Sequence, residues 1–270
     1  MLWRPAVDFE DLSVRVDGQI GIIELNRGDG RNALRVRTME EICRAFDLLG
    51  DDPGVRAILF TASGKHFSTG ADFAFLARLT TMSAVEIRDQ IYSAFQGAAK
   101  RIWNCPKPTV AAVNGFAVTV GCELALACDF RIAGPRAQFQ ESWIKLGIMP
   151  PLGGLFLLPR MIGLARANEM VLTARAVAAE EALRIGLVSR AADTDDALPG
   201  AALDYARELA ALPPLAYRAI KDAVHRGLES SMEKEWASNL LAQSILLGTD
   251  DFSEGLAAVT ERRPADFKGR

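Results

Sequence analysis

The run from Ala111 to Ala127, AAVNGFAVTVGCELALA, constrains this chain more than any other stretch. Almost every side chain in it is small or apolar, so it has to be buried. It is shorter than the roughly 20 clean apolar residues that a bilayer-spanning helix requires, and Asn114 and Glu123 interrupt it. It therefore reads as the interior of a soluble core. An isolated buried carboxylate costs several kcal/mol unless it is paired or protonated. A chain that keeps Glu123 there either uses it or supplies a partner for it.

The rest of the composition fits a soluble core. A chain of 270 residues can bury roughly 70–75% of its unfolded surface, and half of its residues are hydrophobic. A net charge of −3 gives no footing for nucleic acid or an anionic membrane as partner. The opening MLWRPAVDFEDL carries acids where a signal peptide would have an apolar core, which points to a cytoplasmic protein. Cys43, Cys105, Cys122 and Cys128 form no CxxC pair and are joined by only two histidines. Reduced thiols are expected, with neither a metal site nor a disulfide framework.

Periodicity divides the chain. LSVRVDGQIGIIELNR has two alternating segments meeting at Asp17–Gly18, a hairpin signature. Thr38 and Glu41 read as a capping box opening the helix TMEEICRAFDLLG. VRAILFTA reads as a strand, SGKHFSTGADF as a glycine-bearing loop, and SAVEIRDQIYSAFQGAAKRIWNC as one long helix stopped before Pro106. PTVAAVNG, DFRIAG and AQFQ read as strands, with CELALAC as a helix among them. Strands alternate with helices to about residue 190, the pattern of an α/β core. Beyond Pro199 only helices are expected, near 199–211, 214–228, 231–247 and 250–262. The division is a core over 1–198 and a helical region over 199–270.

Several chemistries lack their sequence signals. No G-x-S-x-G, no phosphate-binding G-x-x-x-x-G-K-[ST] and no dinucleotide-binding glycine fingerprint after a strand is present. His66 and His225 read as solvated rather than catalytic. Two loops remain. In STGADF, Gly70 lets the backbone come close to a ligand and leaves the Ala71 amide able to donate. In NGFAVTVGCE a strand turns into a helix, whose first amides point outward with partial positive charge. One donor from each loop, aimed at a common point, would hold a carbonyl oxygen that becomes an enolate.

The order and spacing of KHFSTGADF, KPTVAAVNGFAVTVGCELALACDFRIAG, AQFQ, KLGIMPPLGG and LPRMIGLARANEMVLTARAVAAEEALRIGLVSR resemble the crotonase superfamily of enoyl-CoA hydratases and isomerases, as does the ending ERRPADFKGR. The resemblance runs from about residue 12 to 270. It implies an α/β fold built as a spiral of repeated ββα units, with a C-terminal helical trimerisation region and assembly into a homotrimer or a hexamer. It implies an acyl-CoA substrate, with coenzyme A carried by the substrate and no separate cofactor or metal. The thioester oxygen would bind the amides of Ala71 and Val120, and Glu123 resembles the water-activating acid/base. The CoA moiety would lie along the NRGDGRNAL loop, Lys65, Gly70, Asp72 and Phe73, with Phe267 and Lys268 at its nucleotide end.

The chain departs from the family pattern in two places. TVG replaces the three glycines often found before CE, so Val120 stands at an oxyanion-binding position and would be strained if a positive φ were needed there. The family's second glutamate lies four residues after the phenylalanine of AQF, where this chain has Trp143. An indole is no general acid near neutral pH. Glu141 lies two residues earlier and, on an extended segment, would share a face with Trp143. Trp143 is expected to wall the cavity near the acyl Cα–Cβ region. Pro151 in MPPLGG removes the acid that some isomerase-like relatives carry in that turn. The expected activity is enoyl-CoA hydration; the alternatives are isomerisation or other enolate chemistry on one carboxylate, or acyl-CoA binding without turnover.

Overall fold

The computed structural model describes residues 8–270, so most of the N-terminal segment used above to judge a signal peptide lies outside the described residues. The hairpin forms as expected: β1 (Leu12–Asp17) pairs antiparallel with β2 (Ile20–Leu25) around Gly18, whose φ of 60° suits the turn. Helix α1 (Val36–Asp51) follows, then β3 (Ala57–Ala62), α2 (Phe73–Leu79), α3 (Ala84–Glu86) and α4 (Ser93–Trp103). The buried run supplies β4 (Thr109–Val113), β5 (Phe116–Val118) and α5 (Val120–Ala127). Next come β6 (Phe130–Ala133), β7 (Gln138–Gln140), α6 (Gly154–Ile162), α7 (Leu164–Leu172), β8 (Ala176–Ala178), α8 (Ala179–Arg184) and β9 (Arg190–Ala191). Four helices close the chain: α9 (Leu198–Ala210), α10 (Pro214–Gly227), α11 (Met232–Leu246) and α12 (Asp250–Glu261).

The strands form two sheets. One runs β1-β2-β3-β4-β6-β9 and is parallel after its first pair; the other runs β5-β7-β8. The chain visits the large sheet with β4 and the small one with β5, turns through α5, then repeats the visit with β6 and β7. This is the ββα spiral that the resemblance implied. All five residues of β4 are buried, as both faces of a parallel strand require. One face of the large sheet meets the main core, which includes Phe46, Phe60, Phe67 and Phe139. Its other face, with Ile20, Leu59, Val110 and Ile132, is covered by Leu198, Ala202, Ala206 and Leu209 of α9.

Helix α9 begins where the helical region was placed and forms the outer layer of the large sheet. Its alanine-rich face lets the helix lie close on the strands. Two local expectations shift. Helix α1 starts at Val36, before Thr38. Glu41 faces inward and accepts the Glu10 and Asp11 amides at 3.0 and 2.9 Å, and at the helix start Thr38 Oγ1 accepts the Arg35 amide at 3.4 Å. The long helix over 83–105 is broken into α3 and α4 by a π-helical stretch, Ile87–Tyr92, a widened turn often found at functional sites.

No helix among the described residues is long and apolar enough to cross a membrane. Cys105, Cys122 and Cys128 are buried and Cys43 is half-buried. His66 stacks on Phe116 at 4.6 Å and His225 on Trp103 at 3.6 Å, so neither imidazole is freely solvated. Burial pushes both below the usual histidine range.

Helix α10 is tied to the core by Asp129, which accepts Lys221 Nζ at 2.8 Å and the Thr109 amide at 2.9 Å. Both side chains of the ion pair are nearly shielded from solvent. Removing one member of such a pair strands the other charge. Lys221→Met is expected to lower unfolding free energy by roughly 3–5 kcal/mol, read from urea denaturation; a loss below about 1 kcal/mol would show that the pair is solvated.

Candidate active site

Two loops meet where the large sheet hands over to the small one. Beyond β3 the chain passes through Ser68, whose amide donates to the Phe116 carbonyl at 2.8 Å and whose carbonyl accepts from the Val118 amide at 3.0 Å. This short parallel bridge sets Gly70 against the turn after β5. Gly70 has a φ of +95°, and a Cβ there would lie 2.2 Å from Thr119 Oγ1 and 3.0 Å from the Val118 carbonyl. Only glycine fits. Gly121 is confined in the same way, since its Cβ would lie 2.6 Å from the Ser68 Cβ.

Val120 needs no positive φ, and the strained backbone falls on its neighbour instead. Thr119 carries φ 48° and ψ −113°, a backbone state that a β-branched residue rarely adopts. It is held there because its amide donates to the Gln140 carbonyl at 2.8 Å and its carbonyl accepts from the Glu123 amide at 2.9 Å. Val120 begins α5 with helical backbone. Its amide, at a helix start, has no intrahelical acceptor. The Ala71 amide is released by a different device. Leu34 donates to the Gly70 carbonyl and accepts from the Asp72 amide, each at 2.8 Å. In that parallel bridge the residue between, Ala71, turns its own N–H to the other side. Each of the two amides thus lies one residue beyond the Gly70–Thr119 contact.

Glu123 sits in the first turn of α5 and is buried. Its Oε1 accepts the Leu152 amide at 2.8 Å and the Gly154 amide at 2.9 Å, at the start of α6. Its Oε2 has no partner among the described residues. Burial pushes the carboxyl up to about 7, against the downward pull of those amides. Glu141 is fully buried beside it. A Cβ placed on Gly154 would touch both carboxyls, 3.2 Å from Glu123 Oε1 and 3.4 Å from Glu141 Oε1. Neither Glu141 oxygen has a hydrogen-bond partner among the described residues. Burial, and then the charge of Glu123, raise its pKa well above the carboxylate range. The Cys122 thiol and the Trp143 indole oppose that rise, though neither forms a hydrogen bond with it.

Glu141 and Trp143 meet by a route the sequence did not suggest. Strand β7 ends at Gln140, and Trp143 opens a single 3₁₀ turn, Trp143–Leu146. The indole is 5% exposed and packs into the main core, with its Nε1 unpartnered among the described residues. Its neighbours Ile144 and Leu146 face outward, so the three do not form one packed cluster.

The remaining candidates separate. Asp72 caps α2, accepting the Ala74 and Phe75 amides at 2.9 and 3.1 Å, and pairs with Arg27 at 2.9 Å; its groups are occupied in holding the loop. Phe73 stands 77% exposed next to it. Lys65 is exposed, and with Arg136 and Arg31 it helps to hold the His66 pKa down after burial, so cationic groups gather at this rim. Asn32 binds the NRGDGRNAL loop to it, donating to the Ser63 and His66 carbonyls at 3.0 Å each. Phe267 and Lys268 are not brought here. The Phe267 carbonyl accepts from Arg56 at 3.0 Å, at the start of β3, whereas Ala71 follows its end; six residues of strand span about 20 Å. Arg31, Arg136 and Tyr92 were not singled out in the sequence. The first two lie far apart along the chain, and Tyr92 sits in the π-helical stretch that periodicity read as regular helix; its pKa is raised by burial and by the Glu123 charge.

Two outward amides near two buried carboxyls could hold a carbonyl oxygen as it gains charge and move a proton nearby. Comparison with known proteins agrees. The sequence model of the enoyl-CoA hydratase/isomerase family matches residues 15–270. A Mycobacterium leprae protein named probable enoyl-CoA hydratase echA8 is 41% identical over 264 residues, 96% of this chain and 98% of that one. The crotonyl-CoA hydratase of Syntrophomonas wolfei is 35% identical over 260 residues, 96% of this chain and 98% of its own. The crystal structure of an enoyl-CoA hydratase from Bacillus anthracis superposes with a TM-score of 0.89 at 31% identity, covering 96% of this chain and 100% of that one. The chain belongs to the enoyl-CoA hydratase/isomerase family and has the crotonase fold.

Gly70→Ala forces a Cβ into the Thr119 side chain and puts a positive φ on alanine. It is expected to destabilise the protein by about 2 kcal/mol or more, seen as a lower Tm by calorimetry. An unchanged Tm would mean that the two loops are not in contact in solution.

Proposed function

We propose that the protein is an enoyl-CoA hydratase-like enzyme in which Ala71 and Val120 bind the thioester oxygen and Glu123 handles the proton. The single observation that carries this reading is the position of Glu123, buried beside the two amide-bearing loops with one oxygen anchored by Leu152 and Gly154 and the other unpartnered. The names of the relatives support the substrate class. Ionised Glu123 takes a proton from water as the water oxygen forms its bond to Cβ. The double-bond electrons move onto the thioester carbonyl, giving an enolate that the two amides stabilise. The enolate collapses, Cα takes a proton from Glu123, and the net change is the addition of one water. The cationic rim around Arg31, Lys65 and Arg136 and the exposed Phe73 ring suit an anionic, ring-bearing ligand such as coenzyme A.

The test is a panel of enoyl-CoAs with mass detection of products. Hydration adds the mass of water, isomerisation leaves mass unchanged, and binding without any product would mean that turnover has been lost. Glu123→Gln keeps the shape and removes the proton acceptor; kcat is expected to fall by about 10²-fold or more with acyl-CoA binding retained by calorimetry. Since burial raises the Glu123 carboxyl to about 7 and the base form is the working form, kcat should decline as pH falls through that value.

We further propose a homotrimer or hexamer in the cytoplasm. The support is the apolar surface left open on the last helices, with Trp236 at 66% and Val259 at 78% exposure, and Leu240, Leu241 and Ile245 alongside. In such an assembly Phe267 and Lys268 could reach a ligand only in a neighbouring protomer. Light scattering should give a mass three or six times that of the chain, and a monomer at micromolar concentration would refute the assembly.

A further inference from the structure

We propose that Glu123 and Glu141 share one proton in the working enzyme, with Glu141 holding it and donating it to the free oxygen of Glu123. This rests on the functional reading above, with Glu123 as the base, and goes beyond it by giving a role to a carboxyl two residues before Trp143.

The geometry comes first. One oxygen of each carboxyl lies against the vacant Cβ position of Gly154, at 3.2 and 3.4 Å, so the two share one pocket. The Oε1 of Glu123 is saturated by two amides. Three oxygens are left buried and unpartnered: Oε2 of Glu123 and both oxygens of Glu141. Two carboxylates without donors in one dry pocket repel each other and lose hydration together. One proton resolves both problems, because a neutral carboxyl gains an O–H donor and an ionised one is an acceptor.

The surroundings decide which carboxyl keeps it. Glu123 has two amide donors, which favour its anion; Glu141 has none. The titratable groups that bear on the pair are Cys122, on α5 next to Glu123, and Tyr92, on the π-helical stretch. Both are themselves held neutral by burial, and no cation is among the groups acting on either carboxyl. The Cys122 thiol and the Trp143 indole favour a second negative charge only weakly, and burial and the Glu123 charge outweigh them. The pair begins with one proton, holds two after Glu123 has taken one from water, and returns to one when Cα is protonated. Glu141 touches no reacting atom in this scheme. It is a positioning residue that sets the basicity of Glu123.

The sign of one shift tests the proposal. A neutral Glu141 stabilises the Glu123 anion by donation, so removing its O–H should make Glu123 harder to ionise. In Glu141→Leu, which offers no donor, the acid limb of the kcat–pH profile is expected to move upward by about one unit or more; Glu141→Gln keeps an N–H donor and should move it less. A downward shift would mean that Glu141 was ionised, and an unmoved limb would mean that it serves packing alone; either overturns the proposal. A second measurement needs no substrate and covers variants that fail to fold. Infrared spectra of the wild type, taken above the pH of its acid limb, should show a protonated carboxyl band, and where Glu141→Gln folds that band should vanish from its spectrum taken above its own acid limb. Absence of the band in the wild type overturns the shared proton whatever the reaction is. A band present without hydration of any enoyl-CoA would overturn only the reading of the reaction.

Discussion

The close approach of Gly70 to Thr119 is the contact on which the rest of the site depends. It joins the exit of β3 in the large sheet to the exit of β5 in the small one, and the two amides of interest follow it by one residue on each side. No side chain can stand at Gly70, and Thr119 is held at a positive φ. Strain of this kind persists only where neighbouring bonds over-determine the backbone. Here the neighbours are the Ser68 bridge, the Gln140 carbonyl and the Glu123 amide. The same bonds that make the turn unusual also orient the first turn of α5, and with it Glu123.

Burial is costly for Glu123 and also changes its acidity. A carboxyl at the surface would remain ionised and well hydrated, and would be a weak base at neutral pH. Inside the core it is pushed up to about 7, close to the pH at which a general base works best. The amides of Leu152 and Gly154 limit that rise, and they come from the start of α6, a segment that also places Gly154 between the two glutamates. Gly154 has no Cβ, which is why two carboxyls fit around it. The buried carboxyl pair and the glycine between them form one packing unit drawn from α5, the end of β7 and α6.

Much of this was legible in the residues. The hairpin at Asp17–Gly18, the buried strands and the four closing helices followed from hydrophobic period and from turn residues, which are local properties. The special standing of Gly70, Glu123 and the two loops was also legible, because a glycine before a cap and a charge in an apolar run are anomalies that sequence exposes. Periodicity misread the Ile87–Tyr92 stretch, since a π turn differs from an α turn by one residue in a pattern that remains apolar on one side. That helix α9 lies on the large sheet was not legible, because its alanine face carries no mark of what it covers.

The sequence by itself determined the fold class, the family and the presence of a buried acid, because each rests on residue type and spacing along the chain. It could not determine that Glu141 lies against Glu123, that Thr119 rather than Val120 takes the strained backbone, or that Phe267 and Lys268 sit at the far end of β3. Those are relations between segments tens of residues apart. They are decided by how the two sheets meet and by which amides, carbonyls and bare glycines face one another there. Propensity and pattern act within a segment, whereas hydrogen-bond partners, desolvation and steric exclusion exist only once the segments have packed.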